Sequence, residues 1–468
     1  MKNTAGPTAS RPHPAITDLR PPSAAGNFLM KVRRMLRRLT TPAGRVLAAL
    51  LALTAPLQAS DQTVILIGLD GFRADYLQKF HPPTLSRLAA DGVRAESLTP
   101  SFPTLTFPNF YTLATGLRPE NHGIINNSMF DPAFGEKFAL GTPAVQDGKW
   151  WGGEPIWVTA EKQGLRSACM FWPGSEAEIA GIRPTEWRKF TYDLSARDRV
   201  EQVLRWLALP PDQRPRLITL YFHEPDTAGH RHGVDSPETA EAVRLVDDAI
   251  ATLLEGIRAQ GREHDVNLII VSDHGMTAVS PDRTIALSDL IDLDTVQVDF
   301  TGALAGLHPL KGSAADLVKT LAAKQKSFQV YRREDLPERF HFRAHRRIPP
   351  VILLADEGWT IIRTPRSVKA MAGFFQRGAH GFDPALPSMA GIFLAWGPAF
   401  RKSTSLPPFA NIQVYNLICE ILGLSSAPND GNTELAPKIL RKIPALPPPA
   451  DDPSPASPSD QEKPQTSE

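Results

Sequence analysis

Two cysteines in 468 residues exclude a disulfide-built scaffold. With neither a CxxC pair nor a Cys/His knuckle present, any bound metal must be held by carboxylates and imidazoles. Cys169 and Cys419 each lie in an apolar stretch, and a disulfide between them or two buried thiols are both open. An excess of one charge is also lacking: 51 Lys and Arg stand against 50 Asp and Glu, a formal net charge of +1. No global field exists to collect a nucleic-acid polymer or an anionic membrane, so phosphate recognition must be local. The apolar run from Val46 to Leu53 falls well short of the ~20 residues a membrane-spanning helix needs.

That short run has another use. Lys31, Arg33, Arg34, Arg37, Arg38 and Arg45 precede it and small residues around Ala59 follow, the layout of a secretory signal peptide cleaved after Ala59. Export to a periplasm or to the exterior follows, with membrane tethering only if the segment stays uncleaved. Residues Met1 to Phe28 read as a leader, with Met30 or Met35 as better starts. The 44 prolines are densest at the two ends, and the tail 444–468 is expected to be disordered. The catalytic domain is therefore expected over 60–443.

Within that span, TVILIGL at Thr63 to Leu69, RLITLYF at Arg216 to Phe222 and VNLIIV at Val266 to Val271 read as buried parallel strands. Pro82 to Asp91, Pro237 to Gln260 and Asn411 to Leu422 read as helices. The alternation predicts an α/β fold, a mostly parallel central sheet flanked by helices on both faces. Residues from about Thr284 to Thr364 break the pattern and are expected to form a small inserted cap subdomain.

Each strand ends in residues able to ligate a cation, and ligands of such sheets gather at the carboxyl ends of the strands. Asp70 follows the first strand in LDGFR; alone, it could be a turn-former beside Gly71. Asp226 and His230 in EPDTAGHRHG follow the second at a spacing that puts both on one helical face, though such pairs also arise by accident. Asp273 and His274 in VSDHGM follow the third, where a surface turn is the alternative. His380 lies between glycines in GAHGFD, a loop or a close backbone approach. One two-ion centre explains all four.

A nucleophile is also needed. In PSFPTLTFPNFYTLATG, Pro108 makes Thr106 the expected N-cap of a helix, where the positive field and a nearby cation would favour the alkoxide. The alternative is a helix cap and nothing more. Thr104 is the rival hydroxyl. Asn127 in GIINNS could donate to a phosphate oxygen, or simply make a turn.

Together, TFPNFYTLATGLRPENHGIINN, LDGFR, FWPGSE, EPDTAGHRHG, SDHGM, GAHGFD and VYNLICEILGL resemble the nucleotide pyrophosphatase/phosphodiesterase family of the alkaline-phosphatase-like superfamily, over roughly Thr63 to Asn432. The resemblance implies two Zn2+ per chain, one on Asp226, His230 and His380, the other on Asp70, Asp273 and His274 with the Thr106 oxygen as a further ligand. It implies Asn127 as a phosphate-oxygen donor, and release of nucleoside monophosphate through a threonyl intermediate. It also implies a base clamp with Phe107 as one wall and Trp187 as the other. Ser128 stands where several animal members carry Lys, which removes a charge near the phosphates. The substrate implied is a small nucleotide or phosphodiester. The alternatives are a choline-type lipid-headgroup phosphodiesterase, a phosphonate hydrolase, or a non-catalytic binding protein on the same fold.

Overall fold

A computed structural model of the chain describes residues 62–365 and 376–441. The expected leader, the expected signal segment ending at Ala59 and the tail from 444 lie outside the described residues.

Thr63–Leu69 is apolar and β-branched on both faces and is buried along its whole length; a strand without a polar face belongs inside a sheet covered on both sides. It pairs in parallel with Leu217–Phe222 on one side and Val266–Val271 on the other. These three are the middle of an eight-stranded sheet, in the order Thr404–Leu406, Val93–Ala95, Phe393–Trp396, Val266–Val271, Thr63–Leu69, Leu217–Phe222, Ser167–Met170, Glu186–Arg188. Phe393–Trp396 alone runs against its neighbours.

Two sets of helices accompany the sheet. Pro83–Asp91 and Ala196–Leu207 each pack on Pro237–Ala259, while Thr106–Thr115, Ile156–Lys162 and Gln413–Leu422 pack on one another. The 23-residue helix Pro237–Ala259 buries Val243, Val246, Ile250, Leu253 and Ile257 at helical spacing. Its Asp247 is buried too and accepts the Thr84 and Leu85 N–H groups. That satisfies two orphan donors of the neighbouring helix with a charge of the right sign. Gln413 rather than Asn411 begins the last helix, because the Asn411 side chain is bonded to Ser101 in the loop before Thr106 and to Asn109 in the helix that follows it.

Residues 284–362 carry a second sheet. Thr284–Ala286 and Thr360–Ile362 pair at its base, and four antiparallel strands follow the order Val296–Phe300, Leu304–Pro309, Val351–Ala355, Phe328–Arg332. The strap between the last two in chain order returns to the main body, where Phe340 stacks on Phe102 with centroids 4.2 Å apart. Cys169 and Cys419 are both free and buried, which settles the open alternative as two thiols. Among the described residues no helix is long and apolar enough to cross a membrane.

Candidate metal centre and active site

The carboxyl ends of the three central strands lie side by side, and an aspartate follows each within four residues. Asp70 directly follows Thr63–Leu69; Asp273 and His274 stand two and three residues beyond the end of Val266–Val271. After Leu217–Phe222 the chain turns into the helix Glu224–His232, which carries Asp226 and His230 on one face. His380 arrives from far along the chain because Gly378–Ala379 pairs antiparallel with Thr277–Ala278. A Cβ on Gly378 would lie 2.5 Å from Met276 Sδ, and one on Gly71 (φ +64°) 2.9 Å from Asp226 Cα. Both close approaches need glycine.

The six side chains form two groups, Asp226 with His230 and His380, and Asp70 with Asp273 and His274. Within each, one ligating atom per residue lies within 4.8 Å of the others. All three histidines share one orientation: Nδ1–H donates to a backbone carbonyl, His230 to Gly378 (2.7 Å), His274 to Gly275 (2.8 Å) and His380 to Thr104 (2.9 Å). Each therefore turns its Nε2 inward, the nitrogen that a cation would take in place of a proton. The carboxylates are held from behind as well. Tyr221 Oη donates to Asp70 Oδ2 at 2.5 Å, and the Gly71 N–H to Asp273 Oδ1 at 3.2 Å.

Whether these residues fit cations is decided by what remains unpaired. Asp70 Oδ1, Asp226 Oδ1 and Asp273 Oδ2 are buried without a hydrogen-bond partner. These same atoms face the bare imidazole nitrogens: Asp273 Oδ2 lies 3.0 Å from His274 Nε2, Asp226 Oδ1 3.3 Å from His230 Nε2, and Asp70 Oδ1 3.6 Å from His274 Nε2. An orphaned buried carboxylate oxygen costs several kcal/mol at order of magnitude, so three together demand an explanation. Burial, then repulsion from Asp273 and Asp226, holds the Asp70 carboxyl well above the usual range; burial, then Asp226, does the same to Asp273. Burial alone would lower His230, but Asp226 outweighs it and raises the imidazole to about 9. Burial pushes His274 and His380 down. A divalent cation on each group would satisfy the three oxygens and relieve the crowded charge at once.

Thr106 is not the cap expected of it. It is the first residue of the helix Thr106–Thr115, Leu105 stands at the N-cap, and no side chain caps by hydroxyl. With Pro108 tolerated in the first turn, the helix begins one residue earlier than the proline alone suggests. The Thr106 hydroxyl is thus free of the helix and lies 3.3 Å from His274 Nε2, beside the Asp70 group. Asn127 Oδ1 accepts the Phe107 N–H at 2.9 Å, which fixes the amide and leaves Nδ2 as its donor. Thr104 is buried and fully engaged, donating to the Phe382 carbonyl and accepting from the Gly381 N–H. A hydroxyl so used cannot be the nucleophile.

The aromatic residues divide. Phe107 is half-buried and packs with Phe138 and Trp151. Trp187 lies on the edge strand opposite Cys169, with the Arg183 guanidinium 5.3 Å above its ring. The rings that touch the ligands' supports are others: Phe190 meets Tyr221 and His223 edge-on at 6.0 Å, and Tyr192 meets His223 at 4.9 Å. Tyr192 is 71% exposed, and burial followed by the charges of Asp70 and Asp226 raises its hydroxyl. The spacing of Trp187, Phe190 and Tyr192 was the only sequence signal for this shelf, and it does not say which ring faces inward.

The sequence profile of the type I phosphodiesterase / nucleotide pyrophosphatase family matches residues 64–383. An uncharacterized pyrophosphatase/phosphodiesterase of Schizosaccharomyces pombe is 38% identical over 391 residues, 81% of this chain and 80% of that one. A venom phosphodiesterase of Crotalus durissus collilineatus is 37% identical over 81% of this chain but 46% of its own, so the chain spans about half the length of such relatives. Murine ectonucleotide pyrophosphatase/phosphodiesterase 5 superposes with a TM-score of 0.77 at 35% identity, over 81% of this chain and 100% of that chain. An inactive threonine-to-alanine form of the same murine protein, in complex with AMP, gives 0.75 at 35% identity over 79% and 97%. The chain belongs to the type I phosphodiesterase / nucleotide pyrophosphatase family of hydrolytic enzymes.

Proposed function

We propose that the chain hydrolyses phosphodiester or pyrophosphate bonds of small nucleotides and releases a nucleoside monophosphate, with Thr106 as nucleophile and Zn2+ on each of the two ligand groups. The observation that carries this reading is the Thr106 hydroxyl, not used as a helix cap and 3.3 Å from His274 Nε2, in a cluster of three orphaned carboxylate oxygens. Bound zinc supplies Lewis-acid charge that favours the threonine alkoxide and neutralises a phosphoryl group.

The remaining roles belong to the chain. Thr106, at the first position of its helix, presents its oxygen for in-line attack on phosphorus, and the bond to the leaving group breaks to give a threonyl ester. Asn127 Nδ2 donates to a non-bridging oxygen as charge develops there, pre-aimed by the Phe107 N–H that holds its carbonyl end. Water then cleaves the ester and restores Thr106. Phe107 offers a face on which a base can stack, at ~1–3 kcal/mol per base. The AMP complex of the murine relative supports a nucleoside monophosphate as the product. The basic-then-apolar segment ahead of Ala59 supports export, as do the venom and ecto-enzyme names of relatives.

Thr106→Ala is expected to abolish turnover while zinc stays bound. Substantial residual activity on bis-p-nitrophenyl phosphate would remove Thr106 from this role. Wild-type protein is expected to cleave that diester and a thymidine nitrophenyl ester far better than p-nitrophenyl phosphate; preference for the monoester would turn the reading toward phosphatases.

A further inference from the structure

Thr104 precedes the nucleophile by two residues and is wholly buried. Its hydroxyl and its carbonyl both reach the loop that carries His380. The hydroxyl donates to the Phe382 carbonyl at 3.0 Å and accepts from the Gly381 N–H at 2.9 Å, with Met389 Sδ 3.3 Å away. The Thr104 carbonyl accepts the His380 Nδ1–H at 2.9 Å. One residue therefore brackets His380 from both sides, fixing its ring tautomer through the backbone and its following peptide through the side chain.

The other holds on the loop lie to either side of this peptide: Gly378–Ala379 pairs with Thr277–Ala278 before it, and the Asp383 carboxylate pairs with Arg339 after it. The loop follows a two-residue strand, and Gly381 has φ +106°, a region that side chains avoid. Where a Cβ would stand on Gly381, the nearest atom is Leu105 Cδ2 at 3.0 Å, so the loop rests on the nucleophile turn itself. The inner group is supported elsewhere: Asp70 by Tyr221, Asp273 by the Gly71 N–H, and His274 by the Gly275 carbonyl.

We infer that Thr104 is a positioning residue that couples the outer ligand group, through His380, to the turn that aims Thr106. This rests on the two-zinc reading above. Without the hydroxyl, the Gly381 N–H and Phe382 carbonyl lose their partner in a buried place, and His380 loses the restraint on its following peptide. The outer group then loosens and the inner one does not.

The test compares Thr104→Val, which keeps the shape and removes the hydroxyl, with Thr104→Ser, which keeps the hydroxyl. Zinc-loaded protein is dialysed against graded EDTA, zinc per chain is measured by atomic emission, and folding is followed by circular dichroism. The valine variant is expected to give up one of its two zincs at a free-zinc level on the order of tenfold higher than wild type, while the second is retained normally. The serine variant is expected to hold both as wild type does. Equal retention in valine and wild type, or equal loss of both zincs, overturns the coupling. If valine prevents folding, Thr104→Ala enters the same titration, and wild-type retention there overturns it equally. A wild-type chain that takes up no zinc overturns the proposed function, and this coupling with it.

Discussion

Two buried polar clusters in this molecule have nearly the same ingredients and opposite accounts. Around Asp131, every acceptor is used. Oδ1 takes the Ala133 N–H and Arg346 Nε, while Oδ2 takes Arg346 Nη2 and Arg347 Nε at 2.8 and 2.6 Å. Arg347 goes on to the carbonyls of Gly123 and Trp150. In the ligand cluster, three carboxylates each keep an unpaired oxygen, and among the described residues no lysine or arginine pairs with them. The titration behaviour divides accordingly. Burial would raise Asp131, yet hydrogen bonds from Arg346 and Arg347 hold it well below the carboxylate range, whereas Asp70 and Asp273 are pushed well above it. A buried charge cluster that closes on itself is structure; one that leaves its valences open is waiting for a ligand.

The same isosteric change should therefore have opposite consequences in the two places. Asp131→Asn leaves Arg347 buried beside a neutral amide, and breaking a buried pair in this way costs roughly 3–5 kcal/mol. Urea unfolding is expected to show that loss, with zinc content unchanged. Asp273→Asn is expected to raise the stability of zinc-stripped protein, since it removes one of three crowded carboxylates. It also lowers zinc affinity of the inner group by a hundredfold or more at order of magnitude, beyond what loss of a supporting residue does. If Asp273→Asn destabilised the stripped protein as Asp131→Asn does, the contrast would fail.

Much of this was legible in the sequence because strand ends are simple. TVILIGL, LITLYF and VNLIIV have no polar face to confuse their period, and a ligating residue after each one needs only sheet topology to meet the others. The spacing of Asp226 and His230 was equally local. His380 could be suspected from its glycines but placed only by the resemblance, because the pairing of Gly378–Ala379 with Thr277–Ala278 spans a whole inserted sheet. The N-cap position was misjudged by one residue, since a proline is accepted anywhere in a first turn. Thr104 passed as a rival nucleophile because a sequence does not show where a hydroxyl's hydrogen bonds go. The shelf of Phe190, Tyr192 and His223 depends on side-chain direction at a sheet edge, where no burial pattern fixes it.

The smallest effect expected concerns His122, which separates the two clusters by the use of its nitrogens. The three candidate metal-binding histidines donate from Nδ1 and turn Nε2 toward the carboxylates; His122 accepts the Ile124 N–H at Nδ1 and faces Thr112 Oγ1 with Nε2 at 3.1 Å. Both nitrogens are committed, Nδ1 as an acceptor, so a second proton has no seat. Burial lowers this imidazole from 6.5 to about 3. A depressed folded-state value means that the unfolded chain takes up the proton first as pH falls. The stability that neutral His122 preserves is complete above pH 6.5 and is lost progressively from there toward about pH 3. Between pH 7 and pH 5 the loss is roughly 2 kcal/mol. His122→Asn retains an acceptor near the Nδ1 position and does not titrate. Urea unfolding at the two pH values, with both proteins stripped of zinc so that the ligand histidines contribute equally, should show a shallower fall for the variant by about that amount. Equal slopes would mean that His122 is protonated in place, and that its contacts with Thr112 and Ile124 are less closed than the hydrogen bonds require.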